Sequence, residues 1–530
     1  MRKKTFFGGL IIALAAIYPI ASNYHGSKLH EHIDQKVADL NHYLHDSLGI
    51  NYSVDARLEK SGIFASHYIV SIKDEKGNDI PFLQHDVEHG PFPWSNLKEG
   101  HFAPISYNSK VTLVRNQYTE QLFTSTKDDQ PLLIEYSLGY DQQLKGKLST
   151  ARFKMQTTEN GVTESSTINP YTLEFSADKD FKNIHLQDFS SGSESRLSDK
   201  DISLLTKASE YASSSDIRQQ DKKLSIHSKS KIKDYFIDIN DVFSLRATPI
   251  DSQFTLDNDG NITNIRSQAS TQNLSILDTA VGQFETAIGF QRVNSDALGQ
   301  LTKVMSNILV DFIRQGIQNN WQNSDEIAEQ IMSPHILPLS GAGIALLNDS
   351  PLVTFGPIIH TNAGGTANIK ADIGLLMPPL SASSQEEALL NSISDVDIQL
   401  SATKAWAVQT LMDVATITAK KHQLAAPSDQ DKPELVAIID DVAQALIASE
   451  LAIDKDGVLQ FTLKATPEKG KPIITTKTVT FNGEEIPVWG LALKLGQSTD
   501  KANALLQASD VSNRLLTFLA RFGVKGPTNP

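Results

Sequence analysis

Hydrophobic positions along this chain change period several times, and each change marks an element. Between residues 28 and 48 apolar side chains fall at Leu29, Ile33, Val37, Leu40, Leu44 and Leu48. Those spacings of three and four define one face of an amphipathic helix, with Lys28, Glu31, Asp34, Lys36, Asp39 and Asp46 elsewhere on its surface. Gly49 ends the pattern, and residues 50–58 and 64–74 then alternate imperfectly around the turn Lys60-Ser61-Gly62, which predicts a hairpin. From about 102 to 290 half-apolar runs follow at 107–115, 132–138, 144–155, 171–176, 183–188, 224–226, 235–239, 242–245, 253–256, 262–265, 274–277 and 284–288. The serine-rich stretches 190–195 and 209–220 read as loops between them, and a slip of phase near Thr150 reads as a bulge. Successive strands with one wet and one buried face predict a large antiparallel meander.

The period returns to that of a helix at 293–317, where Ala297, Leu301, Val304, Ile308 and Phe312 keep one face apolar, and a short second helix is expected at 324–332. Strand patterns resume at 344–347, 353–359, 367–376 and 396–400. Helices are expected at 404–423 and 433–451, the second opening on Pro433, with strands at 458–463 and 473–479 and a last helix at 501–522. The predicted class is α+β: an N-terminal membrane helix, then a large elongated antiparallel sheet with covering helices. Its expected divisions are a membrane segment 1–27, a juxtamembrane helix 28–48, a β-rich region 49–290, a mixed region 291–522 continuing the sheet, and a tail 523–530.

The membrane segment rests on one stretch. Arg2, Lys3 and Lys4 precede an uncharged run from Thr5 to Ser27 whose apolar centre carries Phe6, Leu10, Ile11, Ile12, Leu14, Ile17, Tyr18 and Ile20. A basic flank before such a run keeps the short end in the cytoplasm and sends the rest across. The centre is the length of a signal-peptide core, but the whole run could span about 30 Å. Ala21 followed by Asn23 makes a poor cleavage site, which favours a retained single-pass anchor in the inner membrane, with the bulk of the chain in the periplasm. A cleaved, soluble periplasmic binding module is the alternative.

Composition narrows the chemistry. The 530 residues contain no cysteine, which removes disulfides, thiolate nucleophiles and an N-terminal lipid on sulfur. A formal net charge of −14, with no long basic run after the start, argues against nucleic acid. No G-x-S-x-G elbow and no H-E-x-x-H pair occurs. His85, Glu88 and His89 suggest metal ligands, but on an extended segment the two imidazoles stand about 13 Å apart. The turns Asp257-Asn258-Asp259-Gly260 and Asp454-Lys455-Asp456-Gly457 lack the spaced acids of a calcium loop and read as hairpins, as does Gly364-Gly365. No catalytic residue, metal or cofactor is therefore assigned. The segment His89, Gly90, Pro91, Phe92, Pro93 and Trp94 is expected to be a rigid structural or partner-binding loop, with Phe92 and Trp94 packed inward.

The basic-apolar start, Lys28-Leu29 with Glu31, the turn Gly62-Ile63-Phe64, the run His89 to Pro93 and Gly356-Pro357-Ile358 together resemble the YdgA family, envelope proteins of Gram-negative bacteria with a domain of unknown function. Ser61 departs from the arginine usual before the turn glycine. The resemblance implies an inner-membrane or periplasmic setting and no known activity. A non-enzymatic envelope protein follows as the expectation, offering a sheet surface or groove to a protein or lipid, with a homodimer possible. An envelope hydrolase would need a pocket of convergent titratable groups.

Overall fold

The computed structural model describes residues 37–42, 44, 53–73, 77–116, 119–120, 130–159, 162–199, 202–240, 242–318, 324–377, 387–388, 391–468 and 470–524. The expected membrane residues Phe6 to Ile20, most of the juxtamembrane helix and most of the tail lie outside them.

Among the described residues the strands form one antiparallel sheet that follows chain order almost throughout. It begins with β1 (Ser53–Ser61), β2 (Ala65–Lys73), β3 (Asp79–His89), β4 (Ile105–Leu113) and β5 (Leu132–Gly139). Next, β6 (Leu144–Thr150) and β7 (Phe153–Glu159) run end to end and are answered by β8 (Val162–Ile168) and β9 (Tyr171–Ala177). The slip near Thr150 is thus a break between two collinear strands. Long β10 (Asn183–Ser198) pairs with β9 through its first half and β8 through its second. Gly192 sits by that junction at φ +120°, and a Cβ there would stand 2.4 Å from the Ala208 carbonyl oxygen.

The widest part is β11 (Ser203–Gln220), β12 (Lys223–Ile239), β13 (Phe243–Asn258), β14 (Ile262–Ile276) and β15 (Thr279–Asn294). Residues 190–195 and 209–220, expected as loops, lie inside β10 and β11, and the pairs of short runs expected at 224–239, 242–256 and 262–277 are single strands. Their serine-rich middles satisfy a ladder of backbone hydrogen bonds as well as any apolar sequence does, because the ladder does not depend on side chains.

Two helices, α2 (Ser295–Gln318) and α3 (Ser324–Leu346), follow β15; a short α1 (Trp94–Lys98) precedes them. Helix α3 runs on through Pro334 and Pro338, so the strand expected at 344–347 is a helix end instead. The sheet then resumes with β16 (Leu352–Asn362), β17 (Gly365–Leu375) and β18 (Ile393–Thr403). It thus crosses residue 290 without interruption. After α4 (Lys404–Lys421) and α5 (Lys432–Ala448) it closes with β19 (Ile453–Lys455), β20 (Val458–Ala465), β21 (Thr478–Phe481) and β22 (Glu484–Pro487), before α6 (Leu491–Ala508) and α7 (Val511–Ala520). Helices α4, α5 and α7 share a small core of their own around Val408, Leu435, Ile438 and Phe518.

The main core lies on one face of the first strands. Tyr68, Leu83, Val87, Val111, Leu132, Ile134 and Tyr136 are buried there beneath Val37, Leu40 and Leu44 of the helical segment that precedes β1, and beneath Val310 of α2. Asn41 fastens that helix to β1, donating to the Val54 carbonyl at 2.7 Å and accepting from its amide at 2.6 Å. Within this core Gly146 lies between Phe175 and Tyr136, and a Cβ there would meet the Phe175 ring at 2.3 Å.

Candidate ligand-binding face

Residues directly opposite in an antiparallel ladder share a face. Following the register from strand to strand traces one row: Tyr107, Leu138, Leu144, Ala177, Ile184, Ile217, Ile226, Leu256, Ile265, Phe290, Val353, Ile373, Val396 and Ala465. Every member is apolar. At about 4.8 Å per strand the row extends roughly 60 Å. A second, shorter row on the same face holds Tyr211, Ile232, Ile250 and, one strand beyond Thr271, Phe284.

Small residues lie between the rows on β11 and β12, whereas β13 and β15 also place Phe254 and Ile288 there. Ser213, Ser230, Ser252 and Ala269 stand opposite one another, beside Ser215 and Ser228. The hydroxyls satisfy each other, Ser215 with Ser228 at 2.8 Å and Ser230 with Ser252 at 2.6 Å, and Ser213 donates to Asp188. Paired in this way they need no water, so on β11 and β12 the strip has a low floor between taller apolar rails. It ends where the same face turns charged, at Glu194–Lys207 and Asp234–Arg246.

The opposite face of these strands is wet. Lys231 pairs with Asp251 at 3.5 Å, Lys233 with Glu210 at 2.7 Å and His227 with Asp257 at 3.1 Å. A shallow open depression there is bordered by Glu135, Lys145, Lys147, Glu174 and His185, with Lys147 and Glu174 in contact at 3.0 Å.

Cover distinguishes the parts of the apolar face. At one end it is the main core just described. At the other, Leu491 and Leu495 of α6 pack with Ile398, Phe461, Leu463 and Phe481. Between them the central strands carry only half-buried row members, and on β15 to β17 large apolar side chains stand open: Ile288 is 42 % exposed, Phe355 46 % and Ile369 43 %. Ile288 and Phe355 are direct cross-strand partners, so the opening is one contiguous patch. Contiguous exposed apolar surface of this kind makes the patch a candidate binding surface.

The histidines singled out in the sequence serve the covered end. His85 and His89 fall on the apolar face of β3. Nε2 of His85 lies 3.0 Å from the Tyr136 hydroxyl and 3.3 Å from Ser109 Oγ, and burial pushes its pKa down to about 4 despite Asp86 alongside. Burial likewise raises Tyr136 to about 12, so the group is neutral and structural at ordinary pH. His89 reaches Ser66 Oγ at 3.0 Å, and its pKa is also lowered by burial. Glu88 turns away to accept from the amide and hydroxyl of Ser95, at 2.9 and 2.6 Å. Among the described residues no cluster of His, Asp and Glu suited to a metal forms.

Phe92 and Trp94 do not pack inward as expected. They are exposed, Trp94 opening α1 with the Lys98 ammonium 5.6 Å from its ring centroid. The Glu88–Ser95 bonds fix the start of α1 over the strand end and leave both rings outside. Gly90 keeps its tight role: its amide donates to the Ser106 carbonyl at 2.8 Å, and a Cβ would collide with the Ile105 carbonyl.

These features define a large antiparallel-sheet protein with one continuous apolar face, covered at its ends and carrying an open apolar patch on β15 to β17. The chain belongs to the DUF945 family, bacterial proteins of unknown function, whose model matches residues 1–488. It is similar to protein YdgA of Escherichia coli K12, 22 % identical over 439 residues covering 79 % of this chain and 84 % of that protein. The uncharacterized protein YihF of the same organism is 23 % identical over 507 residues, 90 % of this chain and 96 % of its own. An uncharacterized Haemophilus influenzae protein is 27 % identical over 158 residues, 28 % and 42 % of the two chains. No solved structure matches.

Proposed function

We propose that this is a non-catalytic, single-pass protein of the inner membrane that holds phospholipid acyl chains against the apolar face of its sheet on the periplasmic side. The observation that carries this reading is the unbroken cross-strand row from Tyr107 to Ala465, beside which large apolar side chains stand open on β15 to β17. An acyl chain laid along such a row leaves water at roughly 0.8 kcal/mol per methylene buried. The serine floor gives it room, and the charged pairs Glu194–Lys207 and Asp234–Arg246 stand where a headgroup would lie. The basic flank and uncharged run at residues 2–27 support the anchored placement.

Photocrosslinking in living cells tests it. A benzophenone side chain at Ile226 or Phe290 should capture phospholipid, and one at Lys229, on the wet face, should not. Equal capture at the two faces, or capture at neither, would overturn the reading.

A further inference from the structure

Helix α3 poses a separate problem. The stretch Glu329–Asp349 is long and apolar enough to cross a membrane, with no Asp, Glu, Lys or Arg from 330 to 348. It nonetheless lies largely uncovered. Ile331 and Ala342, three turns apart, are buried and define its inner side. On its outer side Ile336, Leu337 and Ile344 are exposed, Leu337 by 83 %. Helix α2 adds Met305 and Leu309, both more than half exposed. A charge-free apolar helix surface in water is unfavourable in proportion to its area, so it calls for an occupant.

Two observations select that occupant. First, Val310 of α2 packs into the same cluster as Val37, Leu40 and Leu44, the part of the chain that directly follows residues 1–36. The two-helix unit therefore lies beside the point where the chain arrives from its proposed anchor. Second, α2 and α3 leave and rejoin the sheet side by side, Asn294 donating to Asp349 at 2.7 Å. Both ends of the unit thus stay with the sheet, and its interior is unsuited to crossing a bilayer: Asp311 pairs with Arg314 at 3.2 Å and with His335 at 2.9 Å, and Pro334 and Pro338 lack amide donors.

From this geometry we infer that the exposed apolar faces of α2 and α3 lie in the headgroup-acyl boundary of the membrane that carries the anchor, flat on it rather than through it. This rests on the anchored placement proposed above. Acidic residues outnumber basic ones on the pair, with Asp296, Asp311, Asp325, Glu326 and Glu329 against Lys303 and Arg314. Attachment is thus apolar, independent of anionic lipid and insensitive to salt. It would hold the open patch on β15 to β17 next to a source of lipid.

The absence of cysteine makes single labelling sites simple to build in the full chain. With a bimane fluorophore on Leu337→Cys, Leu309→Cys or Lys229→Cys, the protein is reconstituted into phosphatidylethanolamine–phosphatidylcholine vesicles containing doxyl-labelled phosphatidylcholine. Fluorescence should be lost at 337 and 309 and kept at 229, at low and high salt alike. Chains that float with the vesicles but keep their fluorescence at 337, whether open to aqueous iodide or shielded by a second copy, would overturn the inference and leave the anchor intact. Failure to float at all would overturn both. An Ile336→Asp/Leu337→Asp chain labelled at 309 should float yet recover its fluorescence.

Discussion

The first strands and the central strands carry the same apolar face and treat it differently. In β1 to β6 it is sealed beneath α2 and the helical segment that precedes β1, and Leu83, Val87 and Val111 are almost wholly buried. In β10 to β17 the row continues in register, yet Ile226 and Leu256 are half-buried and Ile288 and Phe355 open. The difference lies in what sits on top, since the strands obey one alternation throughout. Cover turns an apolar face into a core; without cover, the same face is exposed apolar surface.

Mutations on the two parts should therefore differ in kind. Phe82 is fully buried, so Phe82→Ala should cost about 4 kcal/mol in a denaturant titration. A much smaller loss would mean that the first strands are not the sealed end. The next effect is one of pH. Folded His85 stays neutral down to about pH 4, whereas the unfolded chain takes up that proton near 6.5. Acidification then favours the unfolded chain: stability falls from about pH 6.5 and levels near pH 4, by up to about 3 kcal/mol in all. His85→Gln should flatten that part of a pH–stability curve. At the open part, Ile226→Ala should cost only about 1 kcal/mol and reduce captured phospholipid. A loss as large as that of Phe82→Ala would show the centre to be sealed as well. Smallest of all, Lys231→Ala on the wet face breaks an exposed ion pair with Asp251, and should change stability by less than about 0.5 kcal/mol and lipid capture not at all.

The sequence revealed elements more readily than faces. The helix at 295–318, the hairpin across Gly62 and the turns at 257–260 and 454–457 follow from local period and turn chemistry. Long central strands were harder. In β12 the run Ser228, Lys229, Ser230, Lys231 has no apolar member and looks like a loop, although both its faces are accounted for by paired serines and by lysine–carboxylate bridges. Helix α3 hid for the opposite reason, because Pro334 and Pro338 advertise a break that the backbone does not make. The bulk of Phe92 and Trp94 points to an inward packing that the contact of Glu88 with Ser95 prevents. The row itself could not be read at all. Its members come one from each strand, and only the register brings Ile184, Ile217, Ile226 and Leu256 side by side.

The most direct measurement is the lipid content of the purified full-length protein, extracted and weighed by mass spectrometry against an Ile226→Asp/Leu256→Asp chain that retains the same strand content. Phospholipid retained in near-stoichiometric amount by the first, and lost by the second, is what a lipid-holding face predicts. Equal retention by both chains, or none by either, would contradict it.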